Sequence, residues 1–213
     1  MKATTIAGHK MVLHPSGALY WPEKKTALLA DVHLGKAGHF RKNGIAVPRK
    51  IEGVFYQKMQ QLQNDLPIRR ILFLGDLFHS DKNNEWFLFS AWVKQQQLEL
   101  ILIEGNHDII PRQQFQALGI TTVPHWEEEG LYFTHYPEER ESLFVICGHV
   151  HPGIRLNGKG KQQLKLPCFF YSSKQFILPA FGAFTGLHLL QPTPTDRVFV
   201  LTSKEVLELP PKT

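Results

Sequence analysis

The sequence predicts an α/β protein of two sheets with helices outside, and three observations carry that prediction. Short apolar runs recur from Thr26 to Cys147, stretches of helical periodicity lie between them, and alternating segments fill the C-terminal part. The chain of 213 residues can bury a sizeable core. It shows no internal repeat, low-complexity segment or separating linker, so it is read as one domain over residues 1–213.

The elements follow in order. The first 21 residues read as a hairpin: Lys10 to Leu13, a turn at His14-Pro15-Ser16-Gly17, then Ala18 to Trp21. Runs at Thr26 to Ala30, Ile71 to Leu74, Leu100 to Ile103, Leu131 to Thr134 and Leu143 to Cys147 have the length and composition of buried strands. After Pro48, Ile51, Val54, Phe55, Met59 and Leu62 at three-four spacing predict an amphipathic helix. A second helix is expected from about Asn84 to Gln97, capped by Asp81 or Asn83, with its aromatic residues in the core. A third, short helix fits Pro111 to Leu118, with proline in its first turn and Gly119 just past its end. After His151 a Gly- and Lys-rich loop that includes Asn157 to Lys161 leads into alternating segments at Cys168 to Ser172, Gln175 to Leu178, Arg197 to Thr202 and Glu205 to Leu209. These predict a second, mainly antiparallel sheet with strands mainly in 164–209.

Composition narrows the function classes. A net charge of +5 and a pI near 9.2 favour anionic, phosphate-rich partners, although proteins that bind no nucleic acid share such an excess. Cys147 and Cys168 are too few for a disulfide framework and form no Cys-x-x-Cys pair, so they read as reduced thiols of a cytoplasmic protein. Gly8, His9 and Lys10 interrupt the N-terminus before any signal-length apolar run. The longest apolar runs fall far short of the ~20 residues of a membrane-spanning helix, so no membrane association is expected.

Each buried run ends in a polar cluster: Asp31-Val32-His33, Gly75-Asp76-Leu77-Phe78-His79, Gly105-Asn106-His107-Asp108, Thr134-His135-Tyr136 and Gly148-His149-Val150-His151. Ligand sites of open α/β sheets form outside the carboxyl ends of strands, so clusters distant in sequence are expected to converge there. In Asp-x-His and His-x-His, residues two apart share a face of an extended strand end, which suits ligands to neighbouring metals. Carboxylate, imidazole and amide donors without thiolate suit divalent manganese, iron or zinc. Gly75, Gly105 and Gly148 stand where the backbone turns sharply or approaches the ions closely.

The five motifs, in this order from Asp31 to His151, resemble the motif series of the calcineurin-like metallophosphoesterases. GDLFHS (75–80), GNHD (105–108), CGHVHPG (147–153) and LPAFGAFTG (178–186) are most similar to a bacterial group, the ligase-associated metallophosphoesterases. The resemblance implies a four-layer α/β/β/α sandwich. It also implies one metal held by Asp31, His33 and His151, a second held by Asn106, His135 and His149, and Asp76 bridging them. Manganese heads the metals so implied, with iron and zinc as alternatives, and a DNA ligase and a helicase are the implied partners.

Two divalent ions would activate a bridging water for in-line attack on phosphorus and neutralise the phosphate oxygens. The expected function is therefore hydrolysis of phosphodiester or phosphomonoester bonds, on nucleic acid or nucleotides in DNA repair. A nucleotide pyrophosphatase, a non-catalytic metal-dependent scaffold in a DNA-processing complex and a nucleic-acid binding module of a repair complex are the alternatives. His107 is the candidate to stabilise the transition state or protonate the leaving oxygen. Many relatives carry a carboxylate where this chain has His79, which leaves His79 or Asp108 to support His107 or to meet substrate, with capping of the turn or helix that follows as the competing reading of Asp108. Gly35 to Lys50 reads as a basic loop over the site, and its Lys36 and Arg41 join His79 and Asp108 as expected substrate contacts, an ordinary solvated loop being the competing reading. Tyr136 reads as structural, as do His9, His14, His125 and His188, which lack a motif around them.

Overall fold

The computed structural model describes residues 1–42, 44, 53–79, 84–158, 160, 162–183 and 185–211. Seven strands form the first sheet in chain order: β1 (Lys2–Ile6), β2 (His9–Leu13), β3 (Leu19–Trp21), β4 (Thr26–Leu29), β5 (Arg70–Leu74), β6 (Glu99–Ile103) and β7 (Thr121–Val123). β1 to β4 meander antiparallel, and β4 to β7 run parallel. The expected hairpin is β2 and β3, turned at Gly17 in left-handed backbone (φ 96°) with the Gly17 N–H on the His14 carbonyl. β1 was not expected; its alternating Lys2–Ile6 adds to the hairpin edge.

The parallel strands are apolar throughout because both faces are covered. Leu28, Leu72, Leu74, Ile101 and Ile103 point into the cluster between the sheets. Ala27, Leu29, Ile71, Phe73, Leu100 and Leu102 point to the helices. Each fully buried Leu, Ile or Phe contributes about 1.5–3 kcal/mol by leaving water. The helical side is supplied by α2 (Val54–Asp65) through Phe55, Met59 and Leu62, α3 (Asn84–Gln95) through Trp86, Phe89 and Val93, and α4 (Arg112–Gln116) through Phe115. Gly119 closes the turn after α4 with φ 80°. Ile51 and the expected caps Asp81 and Asn83 lie outside the described residues.

The second sheet is mixed. It holds β8 (Trp126–Glu128), β9 (Leu131–Phe133), β10 (Phe144–Cys147), β11 (Pro152–Asn157), β12 (Gln163–Tyr171), β13 (Gln175–Ile177), β14 (His188–Leu189), β15 (Arg197–Leu201) and β16 (Val206–Glu208). The order is β14-β11-β12-β13-β10-β9-β8, with β15 on β12 and β16 on β15. β9, β10 and β13 are parallel to one another.

Three expectations are corrected. The second sheet begins at Trp126, well before residue 164, because the buried runs before His135 and through Cys147 pair with each other, and the latter also with β13. Apolar runs of equal length carry no mark of which sheet they join. Pro152–Asn157, where no strand was expected, is β11, paired with β12 from Gly153↔Pro167 to Asn157↔Gln163, so the expected loop loses its first residue to a strand. Within the expected basic loop, Lys36–Lys42 is a helix, α1, following the left-handed Gly35. The outer apolar cluster of the second sheet, with Tyr132, Val145, Cys168 and Val198, draws on that sheet's own strands. No described helix is long and apolar enough to cross a membrane.

Candidate metal centre

All five polar clusters stand at carboxyl ends of parallel strands: those of Asp31, Asp76 and Asn106 after β4, β5 and β6, and those of His135 and His149 after β9 and β10. The two sheets thus deliver them to one edge of the sandwich. Backbone bonds carry β-like pairing past the strand ends, with the His33 N–H on the Asp76 carbonyl at 2.9 Å and the Gly148 N–H on the His135 carbonyl at 3.1 Å.

Two groups of donors result, Asp31 with His33 and His151, and Asp76 with His135 and His149, each able to hold a metal ion. In the first, His33 Nε2 and His151 Nε2 are 3.3 Å apart and Asp31 Oδ1 lies 3.4 Å from the latter. Asp31 is fully buried; its Oδ2 accepts the His149 N–H at 2.8 Å, while its Oδ1 has no hydrogen-bond partner. In the second, His135 Nδ1 meets the Leu74 carbonyl at 2.9 Å, which leaves the lone pair on Nε2. That nitrogen lies 3.0 Å from His149 Nδ1, 3.2 Å from Asn106 Oδ1 and 3.5 Å from Asp76 Oδ1. Converging lone pairs and an orphaned buried carboxylate oxygen repel one another unless a cation sits among them, so the donors fit metal ions. Asp76 faces both groups, Oδ1 toward His135 and Oδ2 3.8 Å from His33 Nε2. Burial, with Lys36 and neighbouring imidazoles, holds His33 down to about 2, so its ring stays neutral as a ligand must.

The backbone is under strain at the same place. Asp31, His33, Asp76, His149 and His151 all have left-handed backbone, with φ between 50° and 67°. For residues carrying a Cβ this costs on the order of 1 kcal/mol each, and such strain clusters at functional sites. Gly75 (φ 79°) also leaves no room for a side chain, since a Cβ would land on the His135 ring; at Gly105 it would land on the Asp76 carboxylate.

The profile of the calcineurin-like phosphoesterases matches residues 24–167, more than half of the chain. The chain belongs to this family. The metallophosphoesterase fold is shared with the crystal structure of Pseudomonas putida nuclease MPE, at a TM-score of 0.82 and 28% identity over 98% of this chain and 99% of that one. The Aquifex aeolicus protein of unknown function AQ665 matches at a TM-score of 0.42 and 18% identity over 64% of this chain and 82% of that one, a likeness that carries no argument. Comparison with curated protein sequences gives no significant match.

Around the centre of this phosphoesterase, Asn106, His107, Tyr136 and His149 are exposed and form its open side. The His107 N–H donates to Asp76 Oδ1 at 2.9 Å, and its ring centroid lies 5.0 Å from His79 and 5.5 Å from His33. His79, in place of the usual carboxylate, therefore stands beside His107. Asp108 was expected to face substrate or to orient His107, or else simply to cap the turn that follows it. Its carboxylate is instead taken up by backbone: Oδ2 accepts the N–H of Asp76 (2.8 Å) and Gly105 (2.9 Å), and Oδ1 those of Leu77 (2.9 Å) and Phe78 (3.3 Å). Burial raises its pKa to about 6 against the pull of these donors. Lys36, at the start of α1, is half-buried; burial lowers its pKa while the carboxylates of Asp76 and Asp31 oppose that shift, so its ammonium is in electrostatic reach of both groups. Only the backbone of Arg41 is described, and its side-chain role lies outside the described residues.

One support went unread in the sequence. Phe181 and Gly182 donate backbone N–H groups to the carbonyls of Ala30 (2.8 Å) and Asp31 (3.1 Å), strapping the first motif. Lys58 Nζ holds the strap, donating to the carbonyls of Phe181 (2.7 Å) and Ser16 (2.9 Å) and lying 4.6 Å from the centre of the Phe181 ring. The LPAFGAFTG motif, noticed only as a resemblance, was the available signal. His9, His14 and His125 are engaged elsewhere, His9 with the Glu129 carbonyl and Trp21, His14 with Ser16 and Asp65, and His125 against Tyr132.

Proposed function

We propose that this phosphoesterase hydrolyses phosphodiester bonds of nucleic acid, with one metal ion on Asp31, His33 and His151, a second on Asn106, His135 and His149, and Asp76 between them. The observation that carries this reading is the Asp76 carboxylate turning one oxygen to each donor group. Divalent ions bound there supply charge for the phosphate oxygens and a water acidic enough to ionise near neutral pH. The rest falls to the chain. Asp76 and Asp31 hold the two groups in register, His107 on the open side meets the leaving oxygen as hydrogen-bond donor, and His79 and Lys36 receive the non-bridging phosphate oxygens.

Nucleic acid is favoured by the basic charge and by the 28% identity, over nearly the full length of both chains, to a protein described as a nuclease. Manganese is our proposed native metal. We also propose cytoplasmic action in DNA repair beside a ligase and a helicase, on the strength of the sequence resemblance and two buried, free cysteines.

The test is a panel of single-stranded DNA, duplex DNA, cyclic nucleotides and simple monoesters offered to manganese-loaded protein. We expect cleavage of DNA that chelation abolishes, and a loss of at least about a hundredfold in Asp76→Ala. Inertness across the panel, or full activity in Asp76→Ala, overturns the reading.

A further inference from the structure

Tyr136 follows the candidate ligand His135 yet belongs to neither donor group. It is 45% exposed although its neighbours Thr134 and His135 are buried. Its ring stands edge-on to His135, centroids 4.7 Å apart and planes at 75°, and leans on His149 at 4.8 Å and 59°. The side chain is thus held by two imidazoles of the second donor group while much of it faces solvent on the open side, beside Asn106 and His107. A structural tyrosine would put its ring into one of the apolar clusters, and Tyr136 is in none of them. An aromatic surface fixed next to a phosphate site is a platform for the base that the sugar joins to that phosphate, and stacking tolerates any base because every base has a π-face.

We propose that Tyr136 is a positioning residue that stacks on a nucleobase of a single-stranded substrate and so sets the strand's register over the second donor group. The proposal rests on the nucleic-acid reading above. Duplex DNA keeps its bases stacked on each other, so the platform selects unpaired strands.

Fluorescence anisotropy of a labelled short oligothymidylate, compared with an abasic strand of equal length, tests this in the intact protein both with and without manganese. The wild type is expected to prefer the base-bearing strand roughly tenfold, Tyr136→Phe to keep that preference, and Tyr136→Ala to lose it, with the abasic affinity as reference. In hydrolysis the KM for the base-bearing strand rises by a similar factor in Tyr136→Ala, whereas the KM for the abasic strand does not follow. Equal binding of both strands by the wild type overturns the proposal. So does an equal loss on both strands in Tyr136→Ala, which marks simple packing, and so does Tyr136→Phe behaving like Tyr136→Ala, which marks a hydroxyl contact. Protein inert toward every phosphate ester but still preferring bases through Tyr136 defeats the catalytic reading and upholds this one; active enzyme indifferent to bases does the reverse.

Discussion

Asp108 sets two loops with one side chain. Its carboxylate gathers four N–H groups from the turns after β5 and β6, which carry Asp76, Asn106 and His107. Removing an acceptor leaves such donors unpaired at about 1–3 kcal/mol each when buried. The turn after β5 is buried and the one after β6 partly exposed, so we expect Asp108→Ala to destabilise the metal-free protein by about 3 kcal/mol in urea unfolding, with Asp108→Asn in between. An unchanged urea midpoint in Asp108→Ala would show that water replaces the brace. The residue was plain in the sequence, its destination was not. The candidate ligands could be read because each needs a donor at a strand end, and Asp31, Asp76 and the histidines stand there. A carboxylate beside them carries no sign of whether solvent, substrate or backbone will claim it.

At the scale of elements, the strap of Phe181 and Gly182 depends on a lysine from α2. Burial alone lowers Lys58 to about 8. The folded state then disfavours its charged form, and the sign follows: this penalty is fully present below pH 8 and fades as pH rises from 8 toward the ordinary lysine value of 10.5. Thermal unfolding of the wild type is accordingly expected to gain on the order of 1–3 kcal/mol over that window relative to Lys58→Met, in which the gain is missing. Parallel pH curves for the two proteins would rule this out. Elements with strong apolar periodicity, β4 to β6 and α2 to α4, were readable because both packing faces are written into them. α1 was not, since Ala37 is its one buried apolar side chain among those described, and neither was β1, in which Ile6 is the one buried residue. Their structure comes from neighbours that supply hydrogen bonds, a contribution absent from local pattern.

Across the whole molecule, both sheets pack onto one cluster through Leu72, Ile101, Phe133, Phe169 and Phe199, and both also contribute to the metal centre. Metal binding should therefore stabilise the sandwich as a unit. With free manganese about a hundredfold above its Kd, stabilisation of about 2.7 kcal/mol and a Tm rise on the order of 5–10 °C are expected in calorimetry, within a single transition. Two transitions, only one of them moving with metal, would show sheets that unfold separately. The two-sheet plan was visible in the sequence, whereas the allotment of strands to sheets was decided by pairing that only the folded chain reveals. The left-handed backbone at Asp31, His33, Asp76, His149 and His151 bears on how such a molecule can be improved. Glycine at any of these positions relaxes the chain while deleting a donor. A search for heat-resistant variants run without metal is thus drawn toward the very substitutions that dismantle the centre, and only a screen that keeps metal present opposes that drift.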